Sequence, residues 1–264
     1  MNNILYGIIY GDMAGSTYEW HPVKDYHFDL FPENSHFTDD TVMTLAVATW
    51  LMNDVKDSNI LVKSMQLFGA LYPYAGYGRN FFNWLRDPKP QPYYSWGNGS
   101  AMRVAPCAWV AKSLEEAEDL AKKSAEVTHS HPEGIKGAQA VASAIYLART
   151  GASKKDINDY ITNKYGYDLT RTIAEIKAKG FKFDVSCQGS VPEAIIAFLE
   201  SNDFEEAIRL AIYLGGDADT QAAIAGSIAE AFYGISDEVV EKVKSRLDKN
   251  LIRTIEIFNH LYNE

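Results

Sequence analysis

Cysteine, positive charge and long apolar runs are all scarce in this 264-residue chain. Its two cysteines, Cys107 and Cys187, are too few for a disulfide framework or a thiolate zinc site, so we expect free structural thiols. Lys and Arg total 25 against 35 Asp and Glu, a formal net charge of −10 that argues against a nucleic-acid-binding protein. Neither a transmembrane run nor a signal-peptide pattern is present. We therefore expect a soluble, cytoplasmic protein.

Helical periodicity dominates the chain, and strand signal is thin. The spacings of Ser113 with Glu116 and of Asn202 with Glu205 predict capping boxes, and Pro132 suits a first helical turn. Gly151, Gly180 and Gly215 suit helix ends that need a left-handed residue. We predict an all-α, single-domain helical bundle over residues 1–264, with helices over 4–15, 38–54, 58–71, 79–86, 101–111, 114–127, 132–149, 154–164, 170–179, 191–200, 203–214, 218–233, 236–247 and 250–262.

Two short acidic clusters each lead into an apolar helical run. One is Thr38-Asp39-Asp40-Thr41, and the other is Asp217-Ala218-Asp219-Thr220, which follows a double glycine. Carboxylates packed this closely repel one another unless cations lie among them, and Mg²⁺ or Mn²⁺ prefers such oxygen ligands. The four carboxylates could hold two divalent cations.

Each cluster also has a simpler interpretation. Thr38 or Asp39 could only cap a helix, although capping at the second cluster requires one Asp rather than two. The Asp-x-Asp pattern also occurs in the nucleophile loop of haloacid-dehalogenase phosphatases. That loop follows a buried β-strand, whereas residues 205–212 have helical spacing. We therefore favour a metal site.

Other segments carry polar groups of functional interest. Asp12 lies in a small-residue helix, where it needs a metal-site partner or serves as a helix cap. Trp20, Trp84 and Trp96 are interpreted as packing residues. The glycine-rich segment Gly97-Asn98-Gly99-Ser100-Ala101-Met102-Arg103 could expose backbone N–H groups to a phosphate or form an ordinary turn, and Thr128-His129 offers an imidazole beside a helix start.

Taken in order, these motifs resemble the ADP-ribosylglycohydrolase family over about residues 4 to 233. The resemblance implies an all-α fold with a central cleft that holds two Mg²⁺ or Mn²⁺ ions. It implies metal ligation by Thr38, Asp39, Asp40, Asp217, Asp219 and Thr220, catalytic roles for Glu19 and Asp40, and substrate binding by Gly97, Asn98, Gly99, Ser100, Met102, His129 and Tyr213, the last on the adenosine side.

The resemblance implies a hydrolase that removes ADP-ribose from modified protein side chains. The short stretch from Tyr18 to Phe37 is more similar to arginine-type relatives than to those that act on O-linked serine. We therefore expect cleavage of the N-glycosidic bond of ADP-ribosyl-arginine. The alternatives are hydrolysis of an O-linked serine or ester ADP-ribose and a non-catalytic ADP-ribose-binding protein. The expected partner is an ADP-ribosylated protein or an ADP-ribose-type small molecule, and the expected state is a monomer.

Overall fold

Helices form nearly all of the regular structure. The computed structural model describes residues 3–53, 57–180 and 183–262. Within these ranges it has fifteen α-helices and, apart from an isolated bridge between Gly97 and Ser186, no strand, which confirms the predicted all-α class. The helices are α1 (Tyr6–Ser16), α2 (Asp39–Leu51), α3 (Ser58–Leu71), α4 (Arg79–Arg86), α5 (Gly99–Met102), α6 (Ala105–Val110), α7 (Leu114–Glu126), α8 (Pro132–Arg149), α9 (Lys154–Tyr165), α10 (Ile173–Ala178), α11 (Cys187–Glu200), α12 (Phe204–Leu214), α13 (Ala218–Tyr233), α14 (Asp237–Lys244) and α15 (Lys249–Tyr262).

The predicted helix over 101–111 is wrong, because the chain forms two short helices there. Pro106 has no N–H to donate to the carbonyl of Met102, which instead accepts a hydrogen bond from the Thr44 hydroxyl at 3.4 Å. Arg103, between α5 and α6, has a non-helical backbone with φ −98° and ψ 1°. The predicted helix over 38–54 ends at Leu51, and its last predicted residue lies outside the described ranges.

Helix starts follow side-chain caps that sequence spacing only partly predicts. Ser113 accepts from the Glu116 amide at 3.1 Å, but the Glu116 carboxylate accepts from the Lys112 amide, so the box is incomplete. The box at Asn202 is wrong, since Asp203 caps α12. The predicted helices over 170–179 and 191–200 begin instead after the caps Thr172 and Ser186. Pro132 begins α8, and Gly151, Gly180 and Gly215 have positive φ, as predicted.

One hydrophobic core joins the helices from α1 to α15. Its centre is the antiparallel pair α1 and α13, which approach almost backbone to backbone. A Cβ at Gly11 would lie 2.1 Å from the carbonyl oxygen of Ala222, and one at Gly15 would lie 2.4 Å from that of Ala218. Only glycine allows this approach. It brings the C-terminal end of α1 to the start of α13, where the second acidic cluster begins.

The structure also bears on the predictions about the cysteines and about membrane-spanning segments. Cys107 and Cys187 are buried free thiols, as expected. Among the described residues, no helix combines the length and hydropathy of a membrane-spanning segment.

Candidate metal and substrate site

The middle of α1, the segment that follows α1 and the starts of α2 and α13 bring five carboxyl groups together. One oxygen each from Asp12, Asp40 and Asp219 lie within 4.8 Å of one another, and so do oxygens of Glu19, Asp217 and Asp219. Asp219 belongs to both sets, so the sets are continuous. We call the residues Asp12, Glu19, Asp40, Asp217 and Asp219 the acidic cluster.

Asp12 is fully buried, and its hydrogen bonds are complete. Its carboxylate accepts from the amides of Thr38 and Thr41, at 2.9 and 3.1 Å, and from both threonine hydroxyls. These donors surround the N-terminus of α2, where a negative charge is stabilised. Asp12 therefore caps α2 from another helix, and it fixes Thr38 against the acidic cluster.

Only one of the two carboxylate oxygens of Asp40 accepts a hydrogen bond in the described structure. Oδ2 accepts from the Thr220 hydroxyl at 3.3 Å, which links the first and second motifs directly. Oδ1 is buried without a hydrogen-bond partner in the described structure. A buried carboxylate oxygen without a donor is costly, and a divalent cation is the natural partner for it.

Asp217 is held by the glycine-rich segment. The side-chain nitrogen Nδ2 of Asn98 donates to Asp217 Oδ2 at 2.6 Å and to the Ser190 hydroxyl at 3.0 Å. Asp217 makes no side-chain cap on α13, which weakens the simple capping interpretation. The double-glycine turn before Asp217 is fixed by Gln221, whose side-chain nitrogen Nε2 donates to the Gly215 carbonyl at 3.0 Å.

Burial makes the acidic cluster electrostatically unfavourable without a counter-charge. It raises the pKa of Asp40 and Asp219 well above the usual range, and neighbouring carboxylates add to the effect. Burial also raises the pKa of Asp217 to about 6, and burial followed by the charge of Asp219 raises that of Glu19 to about 7. Divalent cations would neutralise these charges and return the carboxyl groups to the ionised form.

Asp39, the remaining predicted ligand of the first motif, lies between the acidic cluster and a second wall, and burial followed by the charges of Asp219 and Asp12 raises its pKa well above its usual range. It is partly exposed, and a Cβ on Gly76 would lie 3.5 Å from its Oδ1. Burial followed by the charge of Asp39 raises the pKa of Tyr77, whose hydroxyl is buried without a partner among the described residues. Asp39 therefore lies against the aromatic loop that connects α3 and α4.

The predicted substrate segment lies on the other side of Asp217. The Ser100 hydroxyl donates to the Gly134 carbonyl at 2.7 Å, so this side chain is already used. The Met102 sulfur lies 3.9 Å from the Thr220 hydroxyl. The amides of Gly99 and Ser100 donate to no residue in the described ranges. His129 faces the same segment, with Nε2 3.1 Å from where a Cβ on Gly99 would lie.

Comparison with known proteins identifies the family. A family model described as ADP-ribosylglycohydrolase matches residues 2–263. The chain belongs to the ADP-ribosylglycohydrolase family. The hydrolase class expected from the sequence is thereby confirmed, and so is the recognition of the family from the ordered motifs.

Relatives of this ADP-ribosylglycohydrolase are named for related but different activities. It is 28% identical to ADP-ribosylhydrolase ARH3 of Mus musculus, over 88% of this chain and 83% of that protein. It is 30% identical to ADP-ribosylarginine hydrolase Tri1 of Pseudomonas putida (strain GB-1), over 90% of this chain and 72% of that protein. A solved ADP-ribosylglycohydrolase-related protein complex shares the fold, with a TM-score of 0.74 at 24% identity and coverage of 97% of this chain and 94% of that one.

In this ADP-ribosylglycohydrolase, Glu19 of the acidic cluster lines a cavity of about 220 Å³, together with Lys177, Phe183, Gly215 and Gly216 among others. Trp20 stands at the rim and stacks on Phe183 with ring centroids 5.0 Å apart. The indole is 67% exposed. Of the three tryptophans interpreted as packing residues, only Trp84 is buried, and Trp96 is 53% exposed.

Tyr213 lies in a neighbouring groove rather than among the residues of the acidic cluster. Its ring meets Tyr26 edge-on, and the Lys177 ammonium lies 4.3 Å from its centroid. It lines a groove of about 450 Å³ between α10 and α12. Lys177 lines both this groove and the cavity, so the two spaces are neighbours.

Sequence reasoning missed Tyr77 and Phe183 as site residues. The only available signal for Tyr77 was its place in the Gly- and Tyr-rich loop between α3 and α4. Phe183 had no signal, because its contacts with Trp20 join segments more than 160 residues apart. No signal in the sequence indicated the contact between Asn98 and Asp217 either.

Proposed function

We propose that this ADP-ribosylglycohydrolase cleaves the N-glycosidic bond between ADP-ribose and an arginine side chain of a modified protein. The observation that carries the proposal is the acidic cluster, in which two carboxylate sets share Asp219 beside an open cavity. A protein that only bound ADP-ribose would not need a buried, mutually repelling group of this kind. The intact cluster therefore favours an enzyme over a binding protein.

The acidic cluster has the donor chemistry for two divalent cations, Mg²⁺ or Mn²⁺. Asp40, Asp217 and Asp219 would hold them, together with Asp39 and the hydroxyls of Thr38 and Thr220. The unpartnered Oδ1 of Asp40 fits this assignment. Bound cations would supply positive charge that orients ribose hydroxyls and activates water.

Glu19 and Asp40 are the groups we propose for proton transfer. Glu19 is half-buried at the edge of the acidic cluster and lines the cavity, which places its carboxyl where it could both take and give a proton. In the reaction, the oxygen of a water molecule bonds to the anomeric carbon while the bond between that carbon and the guanidine nitrogen breaks. One proton of the water stays on the new hydroxyl group, and the other passes through a carboxyl oxygen to the departing guanidine nitrogen. Positive charge on the ribose ring during bond breaking is stabilised by the neighbouring carboxylates.

The rest of the ADP-ribose would extend along the glycine-rich segment. The unbonded amides of Gly99 and Ser100 and the imidazole of His129 would donate to the diphosphate or ribose. In this arrangement Gly97 keeps the approach open, while Asn98 and Met102 hold Asp217 and Thr220 in place. Tyr213 would contact the adenosine from the adjoining groove, where its ring borders the space shared with Lys177.

Arginine is favoured over an O-linked side chain by the Glu19 carboxylate at the cavity. Glu19 lies at the half-buried edge of the acidic cluster, and a planar guanidinium pairs well with a carboxylate. The relative Tri1 is named an ADP-ribosylarginine hydrolase. The further proposal that the protein works as a cytoplasmic monomer has a direct test, the mass of the purified protein in solution together with its distribution in fractionated cells.

Release of free ADP-ribose from ADP-ribosyl-arginine and ADP-ribosyl-serine peptides tests the activity. We expect release from the arginine peptide with Mg²⁺ or Mn²⁺ and none with chelator. The Asp217→Ala, Asp219→Ala double variant should lose turnover and metal binding together. Asp203→Asn, at an exposed helix cap, is the matched control and should retain both. Release from serine alone would replace the arginine assignment, and full activity in the double variant would overturn the metal mechanism.

A further inference from the structure

A buried chain of hydrogen bonds leads from a guanidinium to the predicted substrate-binding histidine. Arg103 is 1% exposed, and its NH2 nitrogen donates to the Ser124 carbonyl at 2.8 Å and to Thr128 Oγ1 at 2.9 Å. Thr128 Oγ1 lies 2.7 Å from Nδ1 of His129. Thr128 is fully buried, and His129 is 5% exposed.

The donors and acceptors available at Arg103, Thr128 and His129 determine the direction of each hydrogen bond in this series. A guanidinium only donates, so Thr128 Oγ1 accepts from Arg103. The single hydroxyl proton of Thr128 must then go elsewhere, and within the described residues Nδ1 of His129 is its sole acceptor in range. If Nδ1 carried a proton instead, two donors would face Thr128 and its own proton would be unpaired, which is costly in a buried site.

The imidazole is neutral in this surrounding. Burial, followed by the charge of Arg103, lowers the pKa of His129 well below its usual value. A neutral imidazole that accepts at Nδ1 carries its one proton on Nε2. That nitrogen has no hydrogen-bond partner in the described ranges, so its donor capacity is free for a ligand.

The space next to Nε2 of His129 is not filled by side chains, because the two residues that face it, Gly97 and Gly99, are glycines. A Cβ on Gly97 would lie 3.4 Å from Nε2, and a Cβ on Gly99 would lie 3.1 Å from it. Tyr93 flanks the imidazole on another side, with ring centroids 5.9 Å apart. The free N–H therefore faces the glycine-rich segment, where no side chain covers it.

We propose that Arg103 and Thr128 are positioning residues that hold His129 as the neutral tautomer protonated on Nε2, so that it donates a hydrogen bond to an anionic oxygen of the ligand on the Gly97–Gly99 segment. The ligand part of this inference rests on the proposed function, which makes that oxygen part of an ADP-ribose diphosphate. The tautomer itself does not depend on which ligand binds.

Nitrogen-15 NMR of the wild-type protein, in chelator and without ligand, tests the tautomer directly. The His129 signals, assigned by their loss in His129→Gln, should show a protonated Nε2 and an unprotonated Nδ1. Protonation at Nδ1 would overturn the proposal. This measurement needs no variant that alters the hydrogen-bond chain, so it does not depend on the folding of such a variant.

Variants of Thr128 test the positioning role. Thr128→Val keeps the shape but removes the hydroxyl, and it should let the Nδ1-protonated form appear and weaken ADP-ribose binding about tenfold, the effect of one hydrogen bond to a charged group. Thr128→Ser restores the hydroxyl and should restore both the tautomer and the affinity. Equal tautomers and equal affinities in Thr128→Val and Thr128→Ser would overturn the positioning role.

The experiments distinguish a failure of the His129 tautomer and its positioning from a failure of the proposed function. If wild-type His129 has the expected tautomer and Thr128→Val alters it, yet titration calorimetry finds no ADP-ribose binding to the wild type, the tautomer is supported and the proposed function fails. If ADP-ribose binds and is released from arginine peptides while wild-type His129 is protonated at Nδ1, the function stands and the positioning role is overturned.

Discussion

Asp12 and Asp40 differ in what their carboxylate oxygens contact, although both are buried aspartates of one site. Asp12 accepts from four groups at the start of α2, so it needs no cation. Asp40 leaves Oδ1 without a partner, so it does. The chemistry of each residue follows from these contacts, and neither could be assigned from residue type alone.

Gly99→Ala should impair ligand binding with little effect on stability. Its Cβ would lie 3.1 Å from Nε2 of His129 and 3.3 Å from Cε1, which covers the donor that we assign to the ligand. We expect the dissociation constant of ADP-ribose to rise at least about tenfold, as for the loss of one charged hydrogen bond, when measured by titration calorimetry.

Gly78→Ala is the matched control for that substitution, because a Cβ there meets no atom within 4 Å. Its affinity for ADP-ribose should equal that of the wild type. Wild-type affinity in Gly99→Ala as well would show that the space before Nε2 is not used.

The pairing of α1 with α13 sets the geometry of the site at the scale of elements. Glu230, near the end of α13, accepts from the Tyr6 amide at the start of α1 at 3.0 Å, and the glycines of α1 lie against α13 from Gly7 to Gly15. The helix that carries Asp12 is therefore fixed at both ends against the helix that begins at the acidic cluster.

Gly11→Ala should disturb this pairing. The new Cβ would lie 2.1 Å from the Ala222 carbonyl oxygen, and backbone atoms cannot yield as a flexible side chain can. We expect a loss of about 2–3 kcal/mol in the free energy of unfolding, typical of overpacking a core, together with weaker Mg²⁺ binding. Urea unfolding in chelator measures the first effect and calorimetry the second. Unchanged stability would mean that the helices separate freely.

Elements and motifs were predictable from local sequence, whereas contacts across the fold were not. Helical periodicity predicts most helices, and the sequence clusters at Thr38 and Asp217 predict two candidate groups of cation ligands, because caps and glycine turns act over a few residues. The role of Asp12 depends on threonines 26 and 29 residues away, and that of Asn98 depends on an aspartate 119 residues away. The direction of the Tyr213 ring depends on packing with Tyr26.

At the scale of the whole molecule, the acidic cluster makes stability depend on pH and cations. Folding raises the pKa of Asp217 from 3.8 to about 6 and that of Glu19 from 4.5 to about 7. Between these values the folded chain binds more protons than the unfolded chain, so the contribution of these groups to the free energy of unfolding falls as pH rises. The cluster therefore opposes folding most strongly near neutral pH without cations.

In chelator, we expect wild-type protein to lose stability relative to Asp217→Asn between about pH 4 and pH 6, by on the order of 2–3 kcal/mol. Urea unfolding at a series of pH values measures the difference. Saturating Mg²⁺ should reverse it and add about 2.7 kcal/mol at a hundredfold excess over the dissociation constant. Parallel pH profiles for the two proteins in chelator would contradict the electrostatic account.

The stacked pair of Trp20 and Phe183 also gives the molecule an intrinsic optical signal. Trp50 and Trp84 are buried in the core, while the Trp20 indole is largely exposed at the cavity rim beside Glu19. A ligand that enters the cavity must alter the polarity around this fluorophore or quench it. In a Trp96→Phe background, which removes another exposed indole, the emission of Trp20 could follow substrate entry and product release in real time, without any label.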